Sequence, residues 1–444
     1  MSMMTRAAWG LSGATLVAAA IPALVAPALV APGLVALALV AMSVPARAAN
    51  ATLTIESWRN DDLPTWQEKI IPAFEKSHPG IKLDFQPTAP KEYNAALNSK
   101  LDAGTAGDII ACRPFDASLE LFKKGQLTSV DGVPGMDNFD TAAKAGWSTD
   151  DGKTTYCVPA AAVLHGFIYN QDAFAKAGIK QPPKTSEEFF ADLDMLKKDG
   201  AYVPLAMGTP DQWEAATMGY QNIGPNYWHG EDGRKALIAG KQKLTDQDWV
   251  APLQELAKWG AYMGDGFKAQ SYPDSQNMFT LGRAAIYPAG SWEIAQFESQ
   301  AQFKLGVFPP PVPKAGDPCY VSDHPDIAFG MNAKSKNADA AKVFLAWVAS
   351  PEFAKVYSDS LPGFFSMQAQ SAPVTDALAQ QFLSFRTSCK STMRSTYQML
   401  SRGTPNLENE VWVESANVIN GTETPEQASQ KLQKGLDSWY KPAK

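Results

Sequence analysis

The chain has 444 residues, with 39 Lys and Arg against 46 Asp and Glu and a formal charge of −7. A mildly acidic chain with dispersed cations argues against nucleic acid or an anionic membrane as its partner. The length suits two lobes better than one core, and twelve tryptophans are more than packing usually requires.

The first segment carries Arg6, then a long Ala/Val/Leu/Pro stretch ending in Ala46-Arg47-Ala48, an A-x-A processing site. Residues 1–48 are therefore expected to be a cleaved secretory signal peptide. The stretch exceeds the roughly 7–15 residues of an ordinary apolar region and could instead be a retained anchor. Pro22, Pro27 and Pro32 each remove a helix donor and weaken that alternative. Cleavage leaves 37 basic against 46 acidic residues, a charge of −9. All four cysteines, Cys112, Cys157, Cys319 and Cys389, lie in the remainder, and an exported chain can pair them in three ways. No C-x-x-C occurs, and His78, His165, His229 and His324 offer no zinc spacing, so no metal or cofactor is expected.

"ATLTIESW" alternates as a strand ending at Trp58. "LPTWQEKIIPAFEKSHPG" spaces Trp66, Ile70 and Phe74 as a helix, "IKLDFQ" is a second strand, "YNAALNSKLDAGTAG" a second helix and "DIIAC" a third strand. This β-α-β-α-β run predicts an α/β fold with a mostly parallel sheet covered by helices. "TSEEFFADLDMLKKDG" opens with Thr185 and Glu188 at capping-box spacing. "YVPLAMG", "GRAAIYP" and "FKLGVFPPPVP" are strands, with helical stretches around Trp213 and in "WVAPLQELAKWGAYM" between the first two. Two helices follow in "NADAAKVFLAWVASPEFAKVYSDS", the second capped by Ser350 with Pro351 in its first turn, and "TPEQASQKLQKGLDSWY" closes the chain.

The stretches "AFEKSHPGIKL", "GTAGDII", "GKTTYCVPAAAVLHGFIYNQDAFAKAGI", "GRAAIYPAGSW" and "AKSKNADAAKVFLAWVASPEFAKVY" occur in the order found in one family. The chain resembles extracellular solute-binding proteins of ABC importers, in the carbohydrate-binding, maltose-binding-protein-like branch. The resemblance implies two α/β lobes joined by hinge strands. It places the N-terminal lobe in 50–160 and 287–335 and the C-terminal lobe in 165–285 and 336–444, with "CVPAAAV" and "AIYPAG" as crossings. Cys157 and Cys319 flank those crossings, which leads to the expectation that they pair.

A sugar presents apolar C–H faces and a ring of hydroxyls, so its site needs aromatic platforms and polar side chains. Trp292, after the small residues of "PAGSW", is assigned the role of platform, although core packing would equally follow from the motif alone. Glu293 either touches ligand or caps the following helix. Trp58, Asn60 and Asp62 end the first strand, where open α/β sheets collect ligand contacts, and Asp61 is an alternative to Asp62. Arg113 and Asp116 follow the third strand in "CRPFDAS", where the tryptophan of maltose-binding protein is missing. His165, Trp213, Asp323, His324 and Phe365 (or Phe364) complete the candidates.

The resemblance implies a periplasmic, monomeric sugar-binding subunit that delivers its ligand to membrane permease subunits, without catalysis. A secreted glycoside hydrolase using Asp62 or Asp116 with Glu293 is the enzyme alternative. The sequence lacks G-x-S-x-G and H-E-x-x-H, and "GWSTDDGKT" misses P-loop spacing. A carrier of another polar solute, such as a phosphorylated polyol, and a surface adhesin are further alternatives.

Overall fold

In the computed structural model, which describes residues 50–442, the first alternating stretch forms β1 (Ala51–Ser57), with Leu53 and Ile55 buried. β1 pairs in parallel with β2 (Ile81–Pro87) and β3 (Ile109–Cys112). Parallel neighbours need long crossovers, supplied by the helical run from Leu63 to Ser77 and the helix Tyr93–Ala103. The first of these contains a π-helical segment, Trp66–Ile70, before the α-helix Ile71–Ser77. Pro72 lacks an N–H and its ring crowds an ordinary α-turn, which accounts for the wider turns ahead of it. The signal peptide expected in residues 1–48 lies outside the described residues.

Two long strands run through the whole sheet, β4 (Val158–Asn170) and β8 (Tyr320–Met331). The order is β2-β1-β3-β8-β4-β6-β5, with β5 at Val203–Leu205 and β6 at Ala284–Gly290. The first half of β4 pairs with β8 and with β9 (Phe365–Ser366). Its second half pairs with β6 and β7 (Leu305–Phe308). β8 in turn joins β3 at one end and β10 (Lys390–Thr392) at the other. Helices flank both halves, giving a two-lobed α/β architecture with β4 and β8 passing between the lobes.

The lobes are threaded differently from the expectation in two places. "AIYPAG" does not cross: β6 lies along His165–Tyr169, and the chain returns as β7 against Phe167–Asn170 of the same strand. The second crossing is β8. The helices Ala338–Val348 and Pro351–Ser360, expected on the C-terminal lobe, pack on the first one. Phe344 and Trp347 meet the ring of Phe74 edge-on at 5.5 and 5.2 Å, and Phe353 lies beside Phe329 of β8. Of the helices that follow β8, the later ones, Ala377–Ser388, Leu407–Asn420 and Pro425–Asp437, cover the second lobe. The capping box of Thr185 with Glu188 and the Ser350 cap form as their spacing predicts.

The expected Cys157–Cys319 pair does not form. Cys112 is bonded to Cys157 and Cys319 to Cys389, with Cα–Cα separations of 6.6 and 4.6 Å. The reason is positional: Cys112 ends β3 and Cys157 precedes β4, and these strands flank β8 on its two sides. The bridge passes over β8 at Gly330, where an added Cβ would lie 2.7 Å from Cys157 Sγ and 3.0 Å from Cys112 Sγ. Gly330→Ala should therefore cost about 1–3 kcal/mol by overpacking. Urea unfolding checks this, and unchanged stability would show that the bridge does not lie over this glycine.

Candidate ligand-binding cleft

The turn after β6 places the first ring. An added Cβ on Gly290 would lie 1.9 Å from the Trp292 indole, so only glycine leaves room for the ring to fold back over the strand end. Ser291 Oγ accepts from Leu164 N at 3.1 Å and donates to Gly363 O at 2.6 Å, tying this turn to β4 and to the loop before β9. Trp292 thus faces a cavity between the two halves of the sheet.

Five aromatic rings line that cavity: Trp58, Trp213, Tyr272, Trp292 and Trp412. Arg59, Arg113, Arg394 and Asp326 supply its charge, with Pro90 and Thr217 filling gaps. The enclosed space is small, about 40 Å³. Trp213 meets Tyr272 edge-on at 4.6 Å, and the Arg113 guanidinium lies over Trp58 at 4.6 Å. Cation–π contact and Arg113's bonds to Asn94 Oδ1 and Pro90 O fix that side chain. Burial lowers the Arg113 pKa, partly offset by Glu408 and Asp326.

The charges are largely compensated within the protein. Asp62 accepts both Arg59 bonds at 2.9 Å. Arg394 lies 3.7 Å from Glu408 and donates Nε to His324 Nε2 at 3.1 Å. Asp326 is the residue that the β4–β8 register skips between Pro325 and Ile327, and this bulge turns it toward the cavity. Burial raises the Asp326 pKa, against the opposing effect of Arg394, Arg59 and Arg113.

Of the sequence candidates, Trp58, Arg113, Trp213 and Trp292 line the cavity, and the other eight stand elsewhere. Asp62 holds Arg59, and Asn60 sits in the short turn beside it. Asp116 belongs to an adjoining chamber, where Arg402 donates to it at 2.6 Å. Asp323 is taken by Arg386 through two bonds of 2.9 Å, and the Arg386 guanidinium also covers the ring of Phe365. His165 is fully buried with its ring edge-on to Trp292, and its Nε2 lies 3.0 Å from His324 Nε2. His324 Nδ1 faces Pro325 O at 2.8 Å and so carries the proton, leaving Nε2 to accept from Arg394. Burial, with Arg394 nearby, holds both imidazoles well below the ordinary histidine value.

Glu293 stands behind the wall. Its carboxyl accepts from Tyr272 Oη at 2.6 Å, Gln276 Nε2 at 2.9 Å and Trp292 Nε1 at 3.1 Å, so it orients two of the cavity rings. Burial pushes its pKa up to about 7 despite those bonds. Neither Asp62 nor Asp116 lines a cavity together with Glu293, so the carboxylate pairs that a hydrolase reading would use are not assembled around one space.

The cavity-lining residues that are not among the sequence candidates are Arg59, Pro90, Thr217, Tyr272, Asp326, Arg394 and Trp412. Arg59 stands between the candidates Trp58 and Asn60, and Asp326 two residues after the candidate His324. Trp412 sits on Leu407–Asn420, whose Asn406 cap and terminal Gly421 are visible signals of a helix.

The profile of the family described as bacterial extracellular solute-binding protein matches residues 57–355. A multiple sugar-binding protein of Streptococcus mutans serotype c is 24% identical over 319 residues, covering 69% of this chain and 73% of that protein. A mannitol-binding protein of Pseudomonas aeruginosa is 25% identical over 327 residues, covering 69% and 71%. Among solved structures, a chitin oligosaccharide binding protein superposes with a TM-score of 0.74 at 19% identity, covering 87% of this chain and 98% of its own. The solute-binding protein RafE in complex with raffinose gives 0.72 at 19%, covering 87% and 99%. These relatives are binding proteins, which sets the hydrolase alternative aside.

Glu293 gives a pH signature. Its folded pKa lies above the unfolded value, so its contribution is fully present below about pH 4.5 and is lost as pH rises through about 7. The loss is on the order of 3 kcal/mol. Glu293→Gln should flatten that slope: between pH 5 and pH 8 the urea midpoint of the parent chain falls more than that of the variant. Parallel pH dependences for the two would contradict the assignment.

Proposed function

We propose that this chain, which belongs to the bacterial extracellular solute-binding protein family, binds a sugar in the cleft between its lobes and delivers it to the permease of an ABC importer. The observation that carries the reading is the cavity itself, aromatic rings on several sides with Arg113, Asp326 and Arg394 among them. Rings cover the C–H faces of a sugar, while a carboxylate and guanidinium groups accept from and donate to its hydroxyls. The names of the multiple sugar-binding and mannitol-binding relatives support the same ligand class.

The strand pairing supports a first lobe of 51–160 and 325–366 and a second of 165–322 and 377–442, hinged on β4, β8 and the segment after β9. Ligand sites usually occupy about 300–1,000 Å³. The cavity here is about 40 Å³, so the lobes part to admit ligand and close on it. The protein works as a periplasmic monomer, without cofactor, after removal of its leader. A phosphorylated polyol is the second reading, suggested by three arginines in the wall. Asp62 occupies Arg59, Glu408 flanks Arg394 and Asp326 lies near Arg113, a balance that favours a neutral polyhydroxyl ligand.

A thermal-shift screen against neutral mono- and oligosaccharides and phosphorylated polyols tests this, because a native-state ligand raises the melting temperature. Neutral sugars should stabilise the chain and be recovered unchanged. With the best ligand, Trp292→Ala should lose about 2 kcal/mol of binding, or roughly thirtyfold in affinity by calorimetry. Near-native affinity in a variant strongly destabilised to urea would make Trp292 a core residue instead.

A further inference from the structure

The aromatic cavity is one end of a longer space. Arg113 lines both it and an adjoining chamber of about 290 Å³, whose lining also includes Asn94, Asn406 and Glu408. Amides and a carboxylate are groups that hydrogen-bond hydroxyls without demanding charge. On its far side lies an outer cavity of about 760 Å³, lined by Gln398, Met399 and Arg402. Phe115 lines both of these spaces.

We propose that Phe115 packed on Tyr397, with the Asp116–Arg402–Asp150 ion pairs, is an end wall that sets the length of ligand the cleft accepts. The proposal rests on the sugar-binding reading. The two rings are 5.2 Å apart. Beside them Arg402 Nε donates to Asp116 at 2.6 Å, and its two terminal nitrogens donate to Asp150 at 2.7 and 3.1 Å. Phe115 and Asp116 follow β3 in the first lobe, whereas Tyr397 and Arg402 follow β10 in the second. The wall is therefore complete only when the lobes meet, at the moment ligand is enclosed.

Its backbone is held in place on both sides. Phe115 and Gln398 both have φ of 58°, a positive value that non-glycine residues adopt only where the surroundings enforce it. Phe115 N donates to Gly146 O at 2.6 Å, and Ser401 Oγ donates to Thr396 O at 2.7 Å. These bonds aim the aromatic ring across the cleft and keep the arginine beside it.

The test is a chain-length series measured by calorimetry on the parent chain, Phe115→Ala and Arg402→Gln. The probes are malto-, xylo- and chito-oligosaccharides from one ring upward, with raffinose and stachyose. In the parent chain, affinity should fall at least about tenfold at the first length that exceeds the wall. Both variants should recover that loss and bind shorter sugars within about threefold of the parent. Because Arg402 is a partly exposed surface cation, Arg402→Gln carries the test if Phe115→Ala melts early without ligand. An unlimited length range in the parent, an unchanged limit in the variants, or an equal loss at every length would overturn the wall. If no sugar of any length binds, the sugar reading fails and the wall falls with it.

Discussion

Two strands, β4 and β8, lie antiparallel at the point where the two halves of the sheet meet, and the cleft is built on them. A strand that serves both lobes must carry small or tightly packed residues where it changes partners. β4 does so with "PAAAV", buried throughout. β8 does so with a bulge at Asp326, directly after Pro325, that turns Asp326 toward the cavity. At this junction His165 and His324 are in contact, one on each strand. Their neutral, buried pair anchors Arg394 on one side and supports Trp292 on the other, which links the hinge directly to the cavity wall.

A second layer holds the cavity-lining groups in position. Glu293 orients Trp292 and Tyr272, Asp62 fixes Arg59, and Asn94 with Trp58 fixes Arg113. Several residues that first suggest ligand contact belong to this layer. Their chemistry is spent on neighbouring side chains, which leaves the wall rigid and its charge nearly balanced.

Local pattern made much of the fold legible. Alternation gave β1 and β2, capping spacing gave the helix after Thr185, and Gly290 before Trp292 marked a turn with no room for a side chain. β8 was not legible, because "SDHPD" carries charges and a proline that ordinarily end a strand. A bulge accommodates them, and a bulge depends on the partner strand. The threading of the helices at Ala338–Val348 and Pro351–Ser360 was hidden for a similar reason, since an apolar helix face does not say which sheet it covers. Arg394 and Trp412 enter the cavity from separate segments of the second lobe, brought together only by tertiary packing. The disulfide pairing likewise depended on β8 lying between β3 and β4.

The central claim is that ligand is held between the lobes, against the tryptophans and beside the bulge of β8. A crystal structure of the chain with a bound sugar tests it most directly. The account predicts a sugar ring in van der Waals contact with Trp292, with a hydroxyl donating to the Asp326 carboxylate and Arg113 or Arg394 donating to another oxygen. A sugar bound outside the interlobe cleft, leaving Trp292 and Asp326 untouched, would contradict it.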